Sequence, residues 1–564
     1  MKRQFVSIGD TQLHVRRAGK GPPVILLHPS PQSGAFSEPM LNRLAKNFTA
    51  IAVDTPGYGL SDPLAGGYKG PALDDYLPPL VGLLDALGIE KAAFYGNATG
   101  AEVAHIFAAA HPDRVAAVML DTAGDVSDDF VDKLVDGYFP DVTPRRDGSH
   151  LLTHWDMVRS LNLFAPWQFT TRANRLPVDM PSPEKIQEKL LDYLRTGKDY
   201  ALAYKPAFYT AKHHLISRVT VPATLTRWAA KPDLTEVDDL IAKGLPDNFT
   251  VLHAGPTMDE RLGASEQYLI DTYLNTGNAA PPHPDQVDRS AARLQKMFID
   301  VGSGQLMAQG CFAGSGRPIL GLHDPAGSSN RLAGFLAPYV GKRPVIALDN
   351  PSSGESDKFL SRDQINTEAY ASAAWAALDA LGIDEVDVVG RYSGGQVAME
   401  MASARPGRVK HIVQAGVQLF ADDEREDLLA NYTPSIAPRW DGGHLITAWS
   451  VVRDMGLFWP WYNRTKGGVI QRDANIDPNF LDSRVQDLLK IGDLYQSAYA
   501  ASFTYPMAEK LAALEMPCLL ADYPGAASYD RLIMAQVAAP NCQIADLPEN
   551  PAELPSILDP FFAS

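Results

Sequence analysis

The sequence predicts an α/β fold that is built twice, one copy after the other. Short apolar runs alternate with helical patterns, which is typical of a parallel sheet wrapped by helices. The pattern also repeats: LDALGIEKAAFYGN, beginning at Leu84, matches LDALGIDEVDVVGR, beginning at Leu378. PRRDGSHLLTHW at Pro144 matches PRWDGGHLITAW at Pro438, and both offsets are 294 residues (378 − 84 and 438 − 144). A fixed offset over such a distance indicates two tandem domains rather than a short-period solenoid.

Each copy presents its predicted elements in the same order. Two short strands that form a hairpin precede a buried strand ending at His28, a strand ending at Asp54, a helix, and a strand that ends in a glycine-flanked turn. A further strand follows, and then about ninety residues of mostly helical, aromatic-rich sequence before the sheet resumes. We predict domains at 1–276 and 291–564, with inserted helical caps at about 125–216 and 419–511. The stretch NTGNAAPPHPDQVDRS is rich in Pro, Asn and Gly and indicates a linker over 277–290.

Composition narrows the classes of function. With 564 residues the chain is too long for one ordinary core. Its formal charge of −17 argues against nucleic acids and anionic membrane surfaces as partners. The three cysteines lack ligand-like spacing, and no apolar leader or long apolar run occurs, so we expect a cytoplasmic protein with reduced thiols. No phosphate loop, zinc spacing or dinucleotide fingerprint is present, so we expect no cofactor and no metal.

Two matched stretches, FYGNATGAEVA and VVGRYSGGQVA, have the layout of a nucleophile elbow. In this G-x-nucleophile-x-G turn, a strained connection between a strand and a helix presents one side chain at the apex. With the HP or HD turn after the third strand, the DTPGYGLSD signature at Asp54 and the inserted helical segment, each copy resembles the capped α/β-hydrolase superfamily. The resemblance is nearest to haloalkane dehalogenases, epoxide hydrolases and C–C bond hydrolases. It implies, in each copy, a mostly parallel eight-stranded sheet with helices on both faces and a cap inserted after the sixth strand.

The catalytic residues that the resemblance implies are largely missing. The apex positions hold Ala98 and Tyr392, and a tyrosine is a poor nucleophile at neutral pH because its phenol titrates near ~10. For the acid after the seventh strand, the first copy offers only Asp233, one place late. Where the family has its general-base histidine, the first copy has Thr257, with His253 earlier in the strand, and the second copy has no candidate. Because a Ser-His-Asp mechanism needs all three groups together, an ordinary serine esterase is excluded.

The second copy has the better-equipped predicted site. A tyrosine at the apex can donate a hydrogen bond to a developing oxyanion, or act as a general acid, without a covalent step. Histidines from the loop after the third strand and from the cap could converge on it. The predicted catalytic residues of this copy are Tyr392, His323, His444 and Ser393. The predicted substrate-binding residues of this copy are Arg391, Arg453 and Trp449.

The first copy is predicted to bind a ligand or to act only as a scaffold. The residues of this copy that we assign to ligand binding are His28, Asn97, Thr99 and His150. Several of these positions have a structural alternative. Histidines at the place of His28 and His323 often brace the family's oxyanion loop, and Thr99 and Ser393 can satisfy free N–H groups at a helix start. Asp54 and its counterpart Asp349 are interpreted as structural.

Three functions remain open on the sequence. The first is an enzyme that uses non-covalent acid–base chemistry, of lyase, decarboxylase, isomerase or hydratase type, on a small carboxylated or aromatic substrate. The second is a catalytically inactive tandem pair that binds a ligand or a partner, and the third is an atypical hydrolase with a histidine-activated water. Retained histidines in both caps favour the first. We expect a small-molecule substrate; the oligomeric state stays open, and the tandem copies are compatible with an intramolecular pseudo-dimer.

Overall fold

The computed structural model describes residues 1–65, 73–229 and 235–564. It divides into two compact units, one formed by Met1–Thr143 and Thr153–Gln286 and the other by Pro144–Leu152 and Val287–Ser564. Each unit contains one sheet of eight strands with the same strand order. The prediction of two mostly parallel eight-stranded α/β domains is confirmed.

The sheet of the first unit has the order β1-β2-β4-β3-β5-β6-β7-β8. Its strands are β1 (Lys2–Ile8), β2 (Thr11–Ala18), β3 (Pro23–Leu27), β4 (Thr49–Val53), β5 (Ala92–Asn97), β6 (Val115–Asp121), β7 (Ala223–Trp228) and β8 (Phe249–Ala254). Only the pairings of β2 with β1 and with β4 are antiparallel. Every residue of β3, β4 and β5 is buried, as expected for a sheet covered on both faces.

The helices of the first copy alternate with these strands. They are α1 (Glu38–Leu44), α2 (Leu77–Ala86), α3 (Thr99–Ala110), α4 (Asp128–Val135), α5 (Ser149–Ser160), α6 (Pro183–Thr196), α7 (Tyr204–Thr210), α8 (His213–Ile216), α9 (Thr235–Ala242) and α10 (Met258–Thr272). Helices α4 to α8 lie between the sixth and seventh strands and form the inserted cap.

The second unit repeats this plan, with the order β9-β10-β12-β11-β13-β14-β15-β16. Its strands are β9 (Gln295–Asp300), β10 (Gln305–Cys311), β11 (Ile319–Leu322), β12 (Val345–Leu348), β13 (Val386–Arg391), β14 (Val409–Ala415), β15 (Cys518–Asp522) and β16 (Gln543–Asp546). Its helices are α11 (Ala333–Leu336), α12 (Thr367–Leu381), α13 (Ser393–Ala404), α14 (Asp422–Asn431), α15 (Gly443–Met455), α16 (Pro478–Ile491), α17 (Tyr495–Phe503), α18 (Met507–Ala512), α19 (Asp530–Ala538) and α20 (Leu554–Phe562). Helices α14 to α18 form its cap. In the described residues, no helix has the length and apolar character that a membrane crossing requires.

Asp54 and Asp349 hold the loops at the carboxyl end of each sheet together. Asp54 is fully buried and accepts hydrogen bonds from the Gly34 and Leu60 N–H groups at 2.7 and 2.8 Å. Asp349 accepts the equivalent bonds from Ser329 and Glu355 at 2.6 and 2.8 Å. These contacts tie two loops to one carboxyl group in each copy and are structural in kind.

Candidate active site

The turns at Ala98 and Tyr392 have the strained backbone of a nucleophile elbow. Tyr392 joins β13 to α13 with φ 47° and ψ −112°, and Ala98 joins β5 to α3 with φ 49° and ψ −117°. A non-glycine residue in this region costs about 1–3 kcal/mol. The turn also needs a glycine at 394, since a Cβ there would lie 2.1 Å from the Leu322 carbonyl oxygen. Each elbow therefore projects its central side chain from the carboxyl end of its sheet.

A cavity of about 550 Å³ lies in the second unit, next to Tyr392. The elbow, the loop after β11, the cap helices and the segment after β15 all contribute to its wall. The side chains on this wall include Asp324, Arg331, Arg391, Tyr392, Gln418, Tyr432, Trp459, Arg472, Phe480, Arg484, Asp487, Tyr499, Phe503, Tyr523 and Arg531. Among these, only Arg391 and Tyr392 belong to the residues predicted from the sequence.

Three of the five arginines on this wall are neutralised by carboxylates. Arg331 pairs with Asp324 at 3.0 Å. Arg472 makes two bonds to Glu549, at 3.0 and 2.7 Å, and Arg531 pairs with Glu424 at 2.5 Å. Neither glutamate lines the cavity, and both of these guanidinium groups already have a counter-ion.

The remaining two arginines, Arg391 and Arg484, have no such partner. Within the described residues neither guanidinium makes an ion pair or hydrogen bond; Arg391 lies 5.8 Å from the Tyr392 ring centroid and Arg484 lies 5.7 Å from that of Phe480. Burial and the neighbouring Arg331 charge lower the pKa of Arg484 to about 10. Burial opposes the charge on Arg391 more than any other single effect, but the charges of Asp324 and of neighbouring tyrosine and aspartate groups together raise the pKa of Arg391. Two positive charges beside the apex are therefore available to an anion.

Aromatic rings form another part of the cavity wall. The Tyr432 ring lies 5.1 Å from that of Tyr499, 5.2 Å from Phe503 and 5.7 Å from Trp459, measured between centroids. Burial raises the pKa of Tyr432 well above its usual value and that of Tyr499 to about 12. Both phenols are therefore neutral at physiological pH and line the cavity, and the Tyr499 hydroxyl donates to the Met455 Sδ at 4.0 Å.

Comparison with known proteins agrees with this architecture. A family model described as "alpha/beta hydrolase fold" matches residues 22–179 and again 318–433. The chain consists of two α/β-hydrolase domains in tandem. We refer to them as the first and second hydrolase domains.

The relatives of these hydrolase domains include enzymes of carboxylated compounds. A 2-(acetamidomethylene)succinate hydrolase from Mesorhizobium japonicum is 38% identical over 114 residues, which cover 20% of this chain and 40% of that protein. A 2-hydroxy-6-oxo-6-phenylhexa-2,4-dienoate hydrolase from Comamonas testosteroni is 27% identical over 254 residues, covering 44% of this chain and 79% of that protein. The chain spans only 36–44% of the length of the first three curated relatives that it matches.

Solved structures resemble one half of the chain at a time. The crystal structure of epoxide hydrolase A from Mycobacterium thermoresistibile covers 48% of this chain and 98% of that chain, with 21% identity and a TM-score of 0.38. At that score the likeness supports no inference about activity.

His323 does not reach the cavity of the second hydrolase domain, so the prediction that it lines the cavity is wrong. It is fully buried, and its Nε2 accepts a hydrogen bond from the Asn350 N–H at 3.0 Å. Its Nδ1 must then carry the proton, which it donates to the Asp324 carbonyl at 2.7 Å. His28 makes the equivalent bonds, to Thr55 at 2.9 Å and to Pro29 at 3.0 Å. Both histidines brace the loop, and burial lowers the pKa of each.

His444 is absent from the cavity wall of the second hydrolase domain, contrary to prediction, whereas the ligand-binding role of His150 in the first domain stays a prediction. His444 is buried, and its Nδ1 accepts a hydrogen bond from the Arg439 N–H at 3.1 Å. The same bond joins His150 Nδ1 to the Arg145 N–H at 3.1 Å, and His150 Nε2 donates to Asp482 at 2.9 Å. Each histidine therefore fixes the start of its own cap helix.

Trp449 and Arg453 are likewise absent from the cavity wall, so their assignment to it is wrong. The Trp449 indole N–H donates to the Arg146 carbonyl at 3.2 Å, and its ring meets His150 at 5.0 Å. Arg453 donates to Asp454 at 2.9 Å. Only the end of α15, at Met455 and Gly456, borders the cavity, because the helix turns its other faces into the cap.

Ser393 and Thr99 occupy the first position of the elbow helices. Both are buried, and Ser393 is not on the cavity wall among the described residues. Asn97 lies beside the first elbow and donates weakly to the Thr122 hydroxyl at 3.5 Å. Their roles in binding or catalysis stay predictions.

A buried ion pair stands directly behind the elbow of the first hydrolase domain. Asp121 accepts two hydrogen bonds from Arg261, at 2.9 and 2.8 Å, and another from the Tyr95 hydroxyl. The backbone carbonyl of the same Asp121 accepts from the Ala98 N–H at 3.0 Å. No sequence pattern predicts this pair, since its members are 140 residues apart.

The other candidates for acid and base in the first domain do not form a triad. Thr257, near the family's histidine position, caps α10 by accepting from the Glu260 N–H at 3.2 Å. His253 is exposed on the edge strand β8. Asp233 lies outside the described residues.

Proposed function

We propose that the second hydrolase domain binds a small aromatic or unsaturated carboxylate in the cavity beside Tyr392 and transforms it without a covalent enzyme intermediate. The observation that carries the proposal is the pair of unpartnered guanidinium groups, Arg391 and Arg484, on the cavity wall that also includes the elbow apex. A guanidinium binds a carboxylate through two parallel N–H donors, and the bond is about twice as strong as one between neutral groups. The first domain has Asn97 and Lys189 at the matched positions and acts as a scaffold or a separate binding unit.

The aromatic wall supports an unsaturated or aromatic body for this ligand. The rings of Tyr432, Tyr499 and Phe503 offer flat apolar surface in the same cavity as the two arginines. Such pairs of rings prefer offset or edge contacts, which a planar ligand can complete. The names of the relatives, which describe a succinate and a dienoate, are consistent with a carboxylated substrate.

Tyr392 supports chemistry without a covalent step. Its phenol stands where a hydrolase of this fold carries its nucleophile, so a reacting carbonyl would lie within reach of the hydroxyl. A phenol there can donate a hydrogen bond to an enolate or oxyanion as it develops. Asp487, whose pKa burial raises, lies on the same wall and is available as a proton acceptor.

Binding without turnover is the alternative, and one observation favours it. Among the described residues that line the cavity there is no histidine, since His323 and His444 are both engaged elsewhere. An acid–base mechanism then depends on the phenol and on buried carboxylates alone. The same absence argues against a hydrolase with a histidine-activated water in this cavity.

Calorimetric binding tests the carboxylate site directly. The probes are 4-oxo-4-phenylbutanoate and its primary amide, which differ in charge but hardly in size. The acid should bind and the amide should not. Arg391→Gln or Arg484→Gln should lower the affinity for the acid by roughly 10- to 100-fold, the range for one charge-assisted hydrogen bond. Arg425→Gln, in a surface ion pair with Asp422, is the matched control and should leave affinity unchanged. Equal binding of acid and amide, or no loss in either cavity variant, would overturn the proposal.

A further inference from the structure

Gln418 presents its amide to the same cavity. It follows β14, is buried except where it borders the cavity, and belongs to a polar network behind the elbow. Two donors converge on its carbonyl oxygen: the Ser502 hydroxyl at 2.6 Å and the Gln396 amide at 3.3 Å. These bonds fix the side chain in one orientation.

The orientation of the amide follows from the network itself. The Ser502 backbone carbonyl can only accept a hydrogen bond, so Gln396 must turn its NH₂ group towards it, at 3.1 Å. The second N–H of the same NH₂ group then points at Gln418, which must offer its oxygen. Gln418 is left with its own NH₂ group directed away from the network. That group is a donor at the cavity wall, held in place before any ligand arrives.

The network is a property of the second domain alone. At the offset of 294 residues, Gln418 is replaced by Gly124 in the first domain and Gln396 by Glu102. The Glu102 carboxylate instead contacts the His105 Nε2 at 2.8 Å. The second domain therefore differs from its copy not only in the apex residue and the arginines but also in a fixed neutral donor.

We infer that Gln418 is a specificity-determining residue that donates to an uncharged carbonyl oxygen of the ligand. The inference rests on the proposed function and narrows its ligand class to oxo acids. Arg391 and Arg484 neutralise the charge of the carboxylate. The amide N–H of Gln418 is uncharged and suits an uncharged acceptor, such as the oxygen of a ketone. A site built to bond an oxygen rejects the analogue that lacks it, because the donor is then left unpaired after losing its water.

The test compares two acids that differ by one oxygen. Wild-type protein should bind 4-oxo-4-phenylbutanoate about tenfold more tightly than 4-phenylbutanoate, as expected for one well-placed hydrogen bond. Gln418→Leu should abolish this preference, because the oxo acid loses its hydrogen bond and 4-phenylbutanoate no longer leaves a desolvated donor unpaired. Ser502→Ala, which leaves every cavity-lining side chain in place, should reduce the preference to about three- to fivefold by loosening the amide.

The outcomes separate this inference from the proposed function. In one outcome, the wild type binds the two acids equally while Arg484→Gln still loses its affinity for both. That result would overturn the role of Gln418 and leave the carboxylate site intact. Failure of both acids to bind would overturn the carboxylate site itself. If Gln418→Leu does not fold, Ser502→Ala decides: an undiminished preference contradicts the inference.

Discussion

Ala98 and Tyr392 share one strained backbone conformation, with φ angles of 49° and 47°. Neither side chain is needed there for the chemistry that the elbow usually serves, since neither is the nucleophile of a hydrolase. The strain persists because the surrounding backbone dictates the turn: the glycines at 96 and 100 admit no Cβ, with backbone atoms only 2.2 Å from the place it would take. The two elbows are thus fixed by packing. The domains differ at this turn in the three residues between the glycines, which are Asn97, Ala98 and Thr99 in the first and Arg391, Tyr392 and Ser393 in the second.

Replacing Ala98 with glycine should stabilise the first domain. Relief of a positive φ is worth about 1–3 kcal/mol. The extra conformational entropy of glycine in the unfolded chain lowers the free energy of unfolding by about 0.5–1 kcal/mol. We therefore expect a net increase of about 1 kcal/mol in the free energy of unfolding. Denaturant unfolding measures the change, with Ala101→Gly inside α3 as the control, which should lose stability. A destabilised Ala98→Gly variant would show that the turn carries no strain.

Serine-directed probes should not label the protein. Fluorophosphonates need a serine activated by a histidine side chain, and His28 and His323, whose backbones lie beside the elbows, have both ring nitrogens engaged in their own loops. A serine introduced at either apex should not become reactive. Ala98→Ser and Tyr392→Ser should both remain unlabelled and without esterase activity. Mass spectrometry after incubation, with an authentic serine hydrolase in the same tube, measures the modification. Stoichiometric label on Ser393 of the wild type would contradict our interpretation of the second elbow.

The fold could be predicted from the sequence because it depends on local patterns that repeat. Strand ends at His28, Asp54 and the elbow recur at a nearly constant offset, and each copy has the order of strands and helices that one parallel sheet requires. Periodicity and turn glycines suffice for this, since they are determined by residues close in the chain.

The site was only partly predictable, because hydrogen-bond partners are set by the fold. His323 stands at the mouth of a strand as expected, but whether it faces the cavity or the loop depends on where the Asn350 N–H lies. Arg484, which was missed, did leave a signal: Leu481, Arg484, Val485 and Leu488 follow the i, i+3, i+4, i+7 stripe of a buried helix face. A charged residue in such a stripe indicates a buried site.

Acid should destabilise the second domain through His444. Burial lowers the pKa of His444 to about 4 from 6.5, although the Asp441 carboxylate opposes the shift and Arg439 adds to it. The unfolded chain therefore binds more protons between those values, and stability falls as pH drops from 6.5 towards about 4. His444→Asn keeps an acceptor for the Arg439 N–H but does not titrate, so its unfolding free energy should depend less on pH in this window. Replacement of the exposed His214 is the control; equal slopes for wild type and His444→Asn would contradict the assignment.

Tyr392→Phe should separate binding from turnover. The phenylalanine keeps the ring that Arg391 and Gly416 contact but removes the only hydroxyl at the apex. If the phenol stabilises a developing oxyanion, turnover should fall by roughly 10²–10³, the usual loss for one such donor. Affinity for the carboxylate probe should change little, because Arg391 and Arg484 remain.

The turnover measurement uses a panel of unsaturated oxo acids, with substrate loss followed by mass spectrometry. Tyr499→Phe, which removes a phenol from the same wall but not from the apex, is the matched control and should lose less than about tenfold. A Tyr392→Phe variant with full turnover would remove the phenol from the mechanism. A wild type that binds these acids through its arginines and converts none of them would instead support the ligand-binding alternative, in which the second elbow keeps the geometry of an active site for recognition alone.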